Sequence, residues 1–193
     1  MQVRVVRETS ASLGEYASIP IAFEVSEILD PSLLVATRNA TDFRTIPIGP
    51  ARIKDYDRYD GQSPLDWPSR FGVENWGILA AFVDNQRAGG AVVVLRDATI
   101  DTLEERNDLA VLWDLRVAPS FRRRGVGSAL VSAAERWALD RGASELKVET
   151  QNTNVDACRF YDARGFRLGS VNPAAYPEIP DEVQLLWYKA LYT

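Results

Sequence analysis

The stretch Arg116–Ala138, RVAPSFRRRGVGSALVSAAERWA, sets three consecutive arginines and two glycines directly ahead of an amphipathic run. From Gly127 the apolar residues Leu130, Val131, Ala134, Trp137 and Ala138 recur at helical spacing, and Gly142 stands where a C-terminal cap is expected. A helix start offers backbone N–H groups with no partner inside the helix, together with the positive end of its dipole. Glycine at 125 and 127 lets the backbone approach an anion without a Cβ in the way, and arginines add charge-assisted hydrogen bonds. The loop 122–128 is therefore predicted to bind a phosphate or pyrophosphate. The bland alternative is a glycine turn carrying solvated arginines.

Working outward, the apolar run LAVLWDLRVAP ends at Pro119 and reads as a strand, and ahead of it GILAAFVD and AGGAVVVLRD read as a hairpin. Downstream, SELKVET alternates as a half-buried strand. QNTNVDACRFYDARG then reads as a short helix with Asn154 as N-cap and Gly165 as terminator, and FRLGSV and EVQLLWYKAL follow as strands. The order β-β-β-α-β-α-β-β predicts an α/β chain with a mixed sheet and packed helices. Nearer the N-terminus, residues 2–7 alternate like an edge strand, and 21–29 suit either a second extended piece or a short helix. Residues 45–76, with many prolines, glycines and aspartates, read as loop with a helical turn.

The 193 residues are enough for one sizeable core, and a single domain is expected. A composition of 46% hydrophobic and 25% charged residues is ordinary for a globular chain. Neither a signal sequence nor an apolar run of membrane-spanning length is legible, so the expected compartment is the cytoplasm and no membrane partner is expected. The one cysteine, Cys158, excludes an internal disulfide and a multi-cysteine metal site. Histidine is absent, which removes Ser-His-Asp and Cys-His mechanisms. A net charge of −5 argues against a nucleic-acid partner and favours a cationic small substrate.

Two phosphate-binding motifs fail on the residues. A nucleotide-triphosphate loop requires Lys-Ser/Thr after its second glycine, where Ser128-Ala129 stands, and a dinucleotide fingerprint requires a small residue where Leu130 stands. Arg122-x-x-Gly125-x-Gly127, preceded by LRVAP and followed by Asn154, Phe160-Tyr161 and Gly165-Phe166, resembles the acetyl-CoA signature of the GNAT N-acetyltransferases, over about residues 78–191. More narrowly, KVETQNTNVDACRFYDARGFRLGSV with FEV at 23–25, KDYD at 54–57, Tyr176 and LLWY at 185–188 resembles streptothricin acetyltransferases.

That resemblance implies a GNAT fold, a central mixed sheet with splayed parallel strands flanked by helices, with residues 1–77 on the substrate side and 78–193 forming the acetyl-CoA core. It implies that the pantetheine arm of acetyl-CoA pairs with the main chain of Leu115 and Val117, and that the backbone of Leu115, Arg116 and Val117 also steadies the oxyanion. The pyrophosphate would lie on Arg122, Arg123, Arg124, Gly125, Val126, Gly127 and Ser128. Tyr161 aligns with the tyrosine that hands a proton to the departing sulfur, and Asn154 with an asparagine near the pantetheine, although an N-cap alone explains Asn154. Glu149 and Asp114 are the candidates for general base or for binding the ammonium, and Tyr176 is a further substrate contact. The implied activity is direct acetyl transfer to a primary amine in a ternary complex, with no metal required. The acceptor is a streptothricin-like or other aminated antibiotic, or else a protein N-terminus, a lysine, a polyamine or a small amino metabolite. A non-catalytic acyl-CoA sensor is the reading from a different class. Homodimers are common in the family, and no residue here specifies one.

In the 45–76 region, Asp55, Asp57, Asp60, Asp66 and Glu74 are interleaved with Tyr56, Tyr59, Trp67 and Trp76. The mixture suits a polycationic amine through ion pairing and cation–π contact, and equally suits a solvated acidic loop over a few buried aromatics.

Overall fold

In the computed structural model, which describes residues 2–37, 44–179 and 181–192 (for 35–37 the backbone alone), nine strands alternate with five α-helices. The strands are β1 Val3–Glu8, β2 Phe23–Leu29, β3 Thr45–Lys54, β4 Gly77–Val83, β5 Gln86–Leu95, β6 Leu109–Val117, β7 Glu145–Gln151, β8 Arg167–Asn172 and β9 Gln184–Ala190. The helices are α1 Leu13–Ala17, α2 Pro31–Thr37, α3 Trp67–Arg70, α4 Val126–Leu139 and α5 Val155–Ala163. Seven strands form a mixed sheet in the order β1-β4-β5-β6-β7-β9-β8, and β2 pairs with β3 alone. The chain folds as two compact units: residues 1–22, 55–146 and 190–193 make up the first, 23–54 and 147–189 the second.

In the first unit β1 is an edge strand, antiparallel to β4. Strands β4 and β5 form the expected hairpin, and its turn is Asp84-Asn85, both residues at positive φ (48° and 64°) as a tight primed turn requires. Helix α4 packs on β4 and β5 through Val126, Leu130, Val131, Ala134, Trp137 and Ala138. Two glycines in β5 permit close approach from both faces. A Cβ on Gly89 would stand 2.6 Å from the Arg116 carbonyl oxygen and 3.1 Å from Leu130, and one on Gly90 would stand 2.5 Å from the Tyr16 ring. The core of this unit joins Leu13, Tyr16, Trp67, Trp76, Ile78, Val92, Val94 and Val111, with Phe71 and Trp113 against it.

In the second unit Asn154 caps α5 as expected, its Oδ1 accepting the Ala157 N–H at 3.2 Å, and Gly165 ends the following turn at φ 83°. Strand β7 is tied inward by Thr150, whose hydroxyl accepts from the Trp187 indole at 2.8 Å and lies 3.3 Å from Cys158 Sγ. The 21–29 segment resolves to a strand. The loop expected over 45–76 is corrected by β3, which occupies its first ten residues. Prolines hid that strand. Pro47 pairs opposite Glu27, and residues 48–51, including Gly49 and Pro50, bulge out of the ladder between the Glu27 and Val25 pairings. A two-stranded sheet consists of edges, where a missing N–H is tolerated. The helical turn expected in the same region is α3. Among the described residues no helix is long and apolar enough to cross a membrane.

Candidate active site

The loop between β6 and α4 begins with a 3-10 turn at Pro119–Phe121. Arg122 is extended, Arg123 and Gly125 take left-handed backbone (φ 60° and 80°), and α4 starts at Val126. Gly125 is the N-cap. It offers no side chain to the first turn, and the first intrahelical bond runs from Ala129 N–H to Gly125 oxygen at 3.0 Å. The N–H groups of Val126, Gly127 and Ser128 therefore precede any intrahelical acceptor, as an anion site at a helix start requires. Arg122 is partly spent on the loop itself, with Nε donating to Val117 oxygen at 3.2 Å and Nη2 to Ala22 oxygen at 3.3 Å. Arg123, Arg124 and Gly125 are exposed.

Strand β6 carries a bulge where it passes β5. Val92 pairs with Asp114 and Val93 with Leu112, leaving Trp113 unpaired. Beyond it Asp114 and Arg116, two residues apart, lie on one face. All five guanidinium N–H groups of Arg116 are used. Nε donates to Asp114 Oδ1 at 2.9 Å and Nη2 to Asp114 Oδ2 at 2.9 Å, while Nη1 and Nη2 donate to the two Asp57 oxygens at 2.7 and 2.8 Å. Nη1 also reaches the Ile19 carbonyl at 3.3 Å. Tyr16 Oη donates to Asp114 Oδ1 at 2.5 Å. The Arg116 side chain is fully buried. Burial alone would weaken its hold on the proton, but hydrogen bonds to Asp57 and the charge of Asp114 outweigh that and raise its pKa. Burial and the Asp114 charge raise the Tyr16 phenol well above its ordinary value, so it stays a donor. Leu115 and Val117, whose backbone the family resemblance assigns to the cofactor, pair on the β5 side with Ala91 and Gly89.

In the second unit the structure brings Glu149 and Tyr176 together. Tyr176 Oη donates to Glu149 Oε1 at 2.5 Å and accepts from Gln151 Nε2 at 2.7 Å, and Glu149 Oε2 accepts from Gln184 Nε2 at 2.8 Å. Burial first, and then the Glu149 charge, push the Tyr176 phenol up, so it remains protonated and donating. Glu149 is half-buried, and the groups bonded to it are a phenol and amides. Tyr161 is buried at 5% exposure, with ring centroids 5.2 Å from Phe160 and 5.4 Å from Phe166. At the end of β7 the fully buried Asn152 Nδ2 and Thr153 Oγ1 have no hydrogen-bond partner among the described residues. Burial raises the Cys158 thiol to about 12, which makes it a poor nucleophile.

The interleaved acidic and aromatic cluster of 55–76 is not one surface. Trp67 and Trp76 are core residues at 2% and 3% exposure. Asp55 pairs with Arg58 and Asp60 with Arg70, each at 3.3 Å, and Asp57 belongs to Arg116. Tyr16, 98 residues from its partner Asp114, had no sequence signal, and Gln151 and Gln184 around Glu149 had none beyond standing near assigned residues. Asp57 was visible as an acid, but its pairing across 59 residues was not.

The family model described as Acetyltransferase (GNAT) family matches residues 41–166, well over half the chain. The streptothricin acetyltransferase of Escherichia coli is 27% identical over 193 residues, covering 97% of this chain and 95% of that protein. The streptothricin acetyltransferase of Streptomyces lavendulae is 26% identical, covering 95% of this chain and 97% of that protein. Among solved structures, a Bacillus anthracis protein assigned as a streptothricin acetyltransferase, in complex with acetyl coenzyme A, superposes over the whole of both chains. Its TM-score is 0.75 and its identity 25%. With the strand, glycine turn and helix of the acetyl-CoA signature in place in the structure, the chain belongs to the acetyltransferase (GNAT) family and is an N-acetyltransferase.

Proposed function

We propose that this N-acetyltransferase moves the acetyl group of acetyl-CoA onto a primary amine of a streptothricin-type antibiotic by direct attack in a ternary complex. The observation that carries the cofactor half is the uncapped start of α4 behind Gly125, flanked by exposed arginines. Likeness to streptothricin acetyltransferases over nearly the full length supports the acceptor.

The roles follow from what the chemistry needs. The pyrophosphate of the cofactor takes N–H groups of Gly125, Val126, Gly127 and Ser128 and the charge of Arg122, Arg123 and Arg124. The pantetheine arm pairs with the main chain of Leu115 and Val117 and passes Asn154, and the backbone of Leu115, Arg116 and Val117 also steadies the oxyanion. The amine attacks the thioester carbonyl, the tetrahedral intermediate collapses, and the departing sulfur takes its proton from Tyr161, a phenol able to donate. The amine's surplus proton leaves through a carboxylate or a water bound to it. Of the two carboxylates, Glu149 suits that task better than Asp114. Both Asp114 oxygens already accept from Arg116 and its side chain is 6% exposed, whereas Glu149 is half-buried and held by neutral groups. Tyr176 keeps Glu149 oriented toward the acceptor. Alignment inside the ternary complex supplies much of the rate, and neither metal nor histidine is needed.

The test is release of free thiol from acetyl-CoA against streptothricin, aminoglycosides, polyamines and peptides. Turnover restricted to streptothricin is expected. Turnover on peptides or polyamines instead would replace the acceptor assignment, and silence with intact acetyl-CoA binding would favour a sensor.

A further inference from the structure

The second unit contains a cavity that none of these roles uses. It has a volume of about 380 Å³, within the range of small-molecule sites. It is lined by Ile28, Ile48 and Arg52 of the β2–β3 pair, by Pro31 at the start of α2, and by Pro173, Asp181 and Val183 of the segment between β8 and β9. The β2–β3 pair and the β8–β9 segment are held by buried polar contacts. Lys54, two residues beyond Arg52, forms an ion pair with Glu182, next to Asp181, and the two are 7% and 3% exposed. Asn152 binds Val183 twice, by its backbone N–H at 3.1 Å and its side-chain oxygen at 2.9 Å, and its carbonyl accepts Leu29 N–H at 2.9 Å. The same 173–183 segment carries Tyr176, the residue bonded to Glu149.

We infer that this cavity holds the non-reacting part of the acceptor, with Asp181 receiving a second cationic group and Arg52 a carbonyl or carboxylate oxygen. The inference rests on the reading that Glu149 and Tyr176 receive the reacting amine. A molecule that fits has three features: an amine to be acetylated, a further ammonium or guanidinium, and an amide, carbamate or carboxyl oxygen between apolar stretches that lie on Ile28, Ile48 and Val183. Such a ligand is an aminoacyl-type polycation. A simple alkylamine carries neither the second cation nor the oxygen, so on this reading the cavity is where acceptors are told apart. Arg52 and Asp181 are exposed to solvent, whereas the pair that shapes the walls, Lys54 with Glu182, is buried. Recognition and architecture thus lie on different residues.

The experiment compares wild type with Asp181→Asn and Arg52→Gln, two exposed substitutions that leave the buried pairs in place. Streptothricin binding is measured by calorimetry, turnover with streptothricin and with benzylamine by thiol release, and acetyl-CoA affinity separately. Each variant is expected to weaken streptothricin binding and raise its KM about tenfold, the loss expected for one charge-assisted bond. The kcat for streptothricin, the rate with benzylamine and the acetyl-CoA Kd should stay within twofold. Unchanged streptothricin affinity in both variants overturns the cavity assignment while leaving the activity standing. If wild type binds streptothricin without acetylating it, the acceptor reading falls, and a tenfold binding loss in Asp181→Asn still upholds the cavity. Absence of any streptothricin binding to wild type overturns both.

Discussion

Replacing Arg116 by methionine tests whether the β6 cluster is held by its guanidinium. The side chain is fully buried and makes five hydrogen bonds, four of them to carboxylates. Methionine fills much of the volume but leaves Asp114, at 6% side-chain exposure, and Asp57, at 25%, facing each other without a cation. Removing one member of a buried pair costs about 3 to 5 kcal/mol, chiefly because the charges left behind stay desolvated. Asp57 can turn partly to water, which favours the lower end, while Asp114 keeps only its bond from Tyr16. For a chain of this length each kcal/mol lowers Tm by about 2 to 4 °C, so a fall of roughly 6 to 15 °C is expected by calorimetry. Adding Asp57→Asn to Arg116→Met removes one stranded charge, and the double variant should be less destabilised than the sum of the singles by about 1 kcal/mol or more. Strict additivity, or an Arg116→Met protein melting within 2 °C of wild type, would refute the argument that this guanidinium neutralises both carboxylates.

Four further outcomes follow from the same geometry. Tyr161→Phe should lower kcat at least 100-fold, the low end of what a positioned general acid contributes, while acetyl-CoA binds within twofold of wild type by calorimetry. The double charge reversal Arg122→Glu with Arg124→Glu should weaken CoA binding more than tenfold, and the deficit should shrink at high salt. Tyr176→Phe, which removes the 2.5 Å bond to Glu149, should lower kcat/KM for the amine about tenfold without changing the acetyl-CoA Kd. The Cys158 thiol, raised from 9.0 to about 12 by burial, keeps its proton in the folded state where the unfolded chain has lost it. Its contribution is therefore fully present below pH 9 and fades toward pH 12. Wild type should lose about 1.4 kcal/mol more stability than Cys158→Ala between pH 8 and pH 10, measured by denaturant titration at each pH.

The readable parts of the sequence were those where structure follows local period or a backbone requirement. Helix α4, Asn154 as a cap, Gly165 as a terminator and the β4–β5 hairpin each depend on residues within a few positions of one another. Strand β3 was unreadable because Pro47, Gly49 and Pro50 carry the composition of a loop, and only pairing with β2 alone makes them tolerable in a strand. The distribution of acids and tryptophans over 55–76 left two readings open, and the structure takes the one with buried aromatics. Sequence order shows that charges and rings alternate, but not that Trp67 and Trp76 turn into the core while Asp57 reaches Arg116.

The same limit separates the two candidate carboxylates. In sequence, Asp114 and Glu149 are equivalent, each an acid in or beside a strand assigned to the cofactor. What divides them is the charge of their neighbours. Asp114 meets the guanidinium of Arg116, two positions further along its own strand, and so stabilises the fold. Glu149 meets a phenol and two amides that orient it without cancelling its charge. A carboxylate already paired with a buried cation has little attraction left for a substrate ammonium, whereas one held by neutral donors retains nearly all of it. Exchanging the surroundings should therefore exchange the roles. Gln184→Arg would place a cation against Glu149, and it should abolish amine acetylation by raising the acceptor KM while leaving acetyl-CoA binding intact.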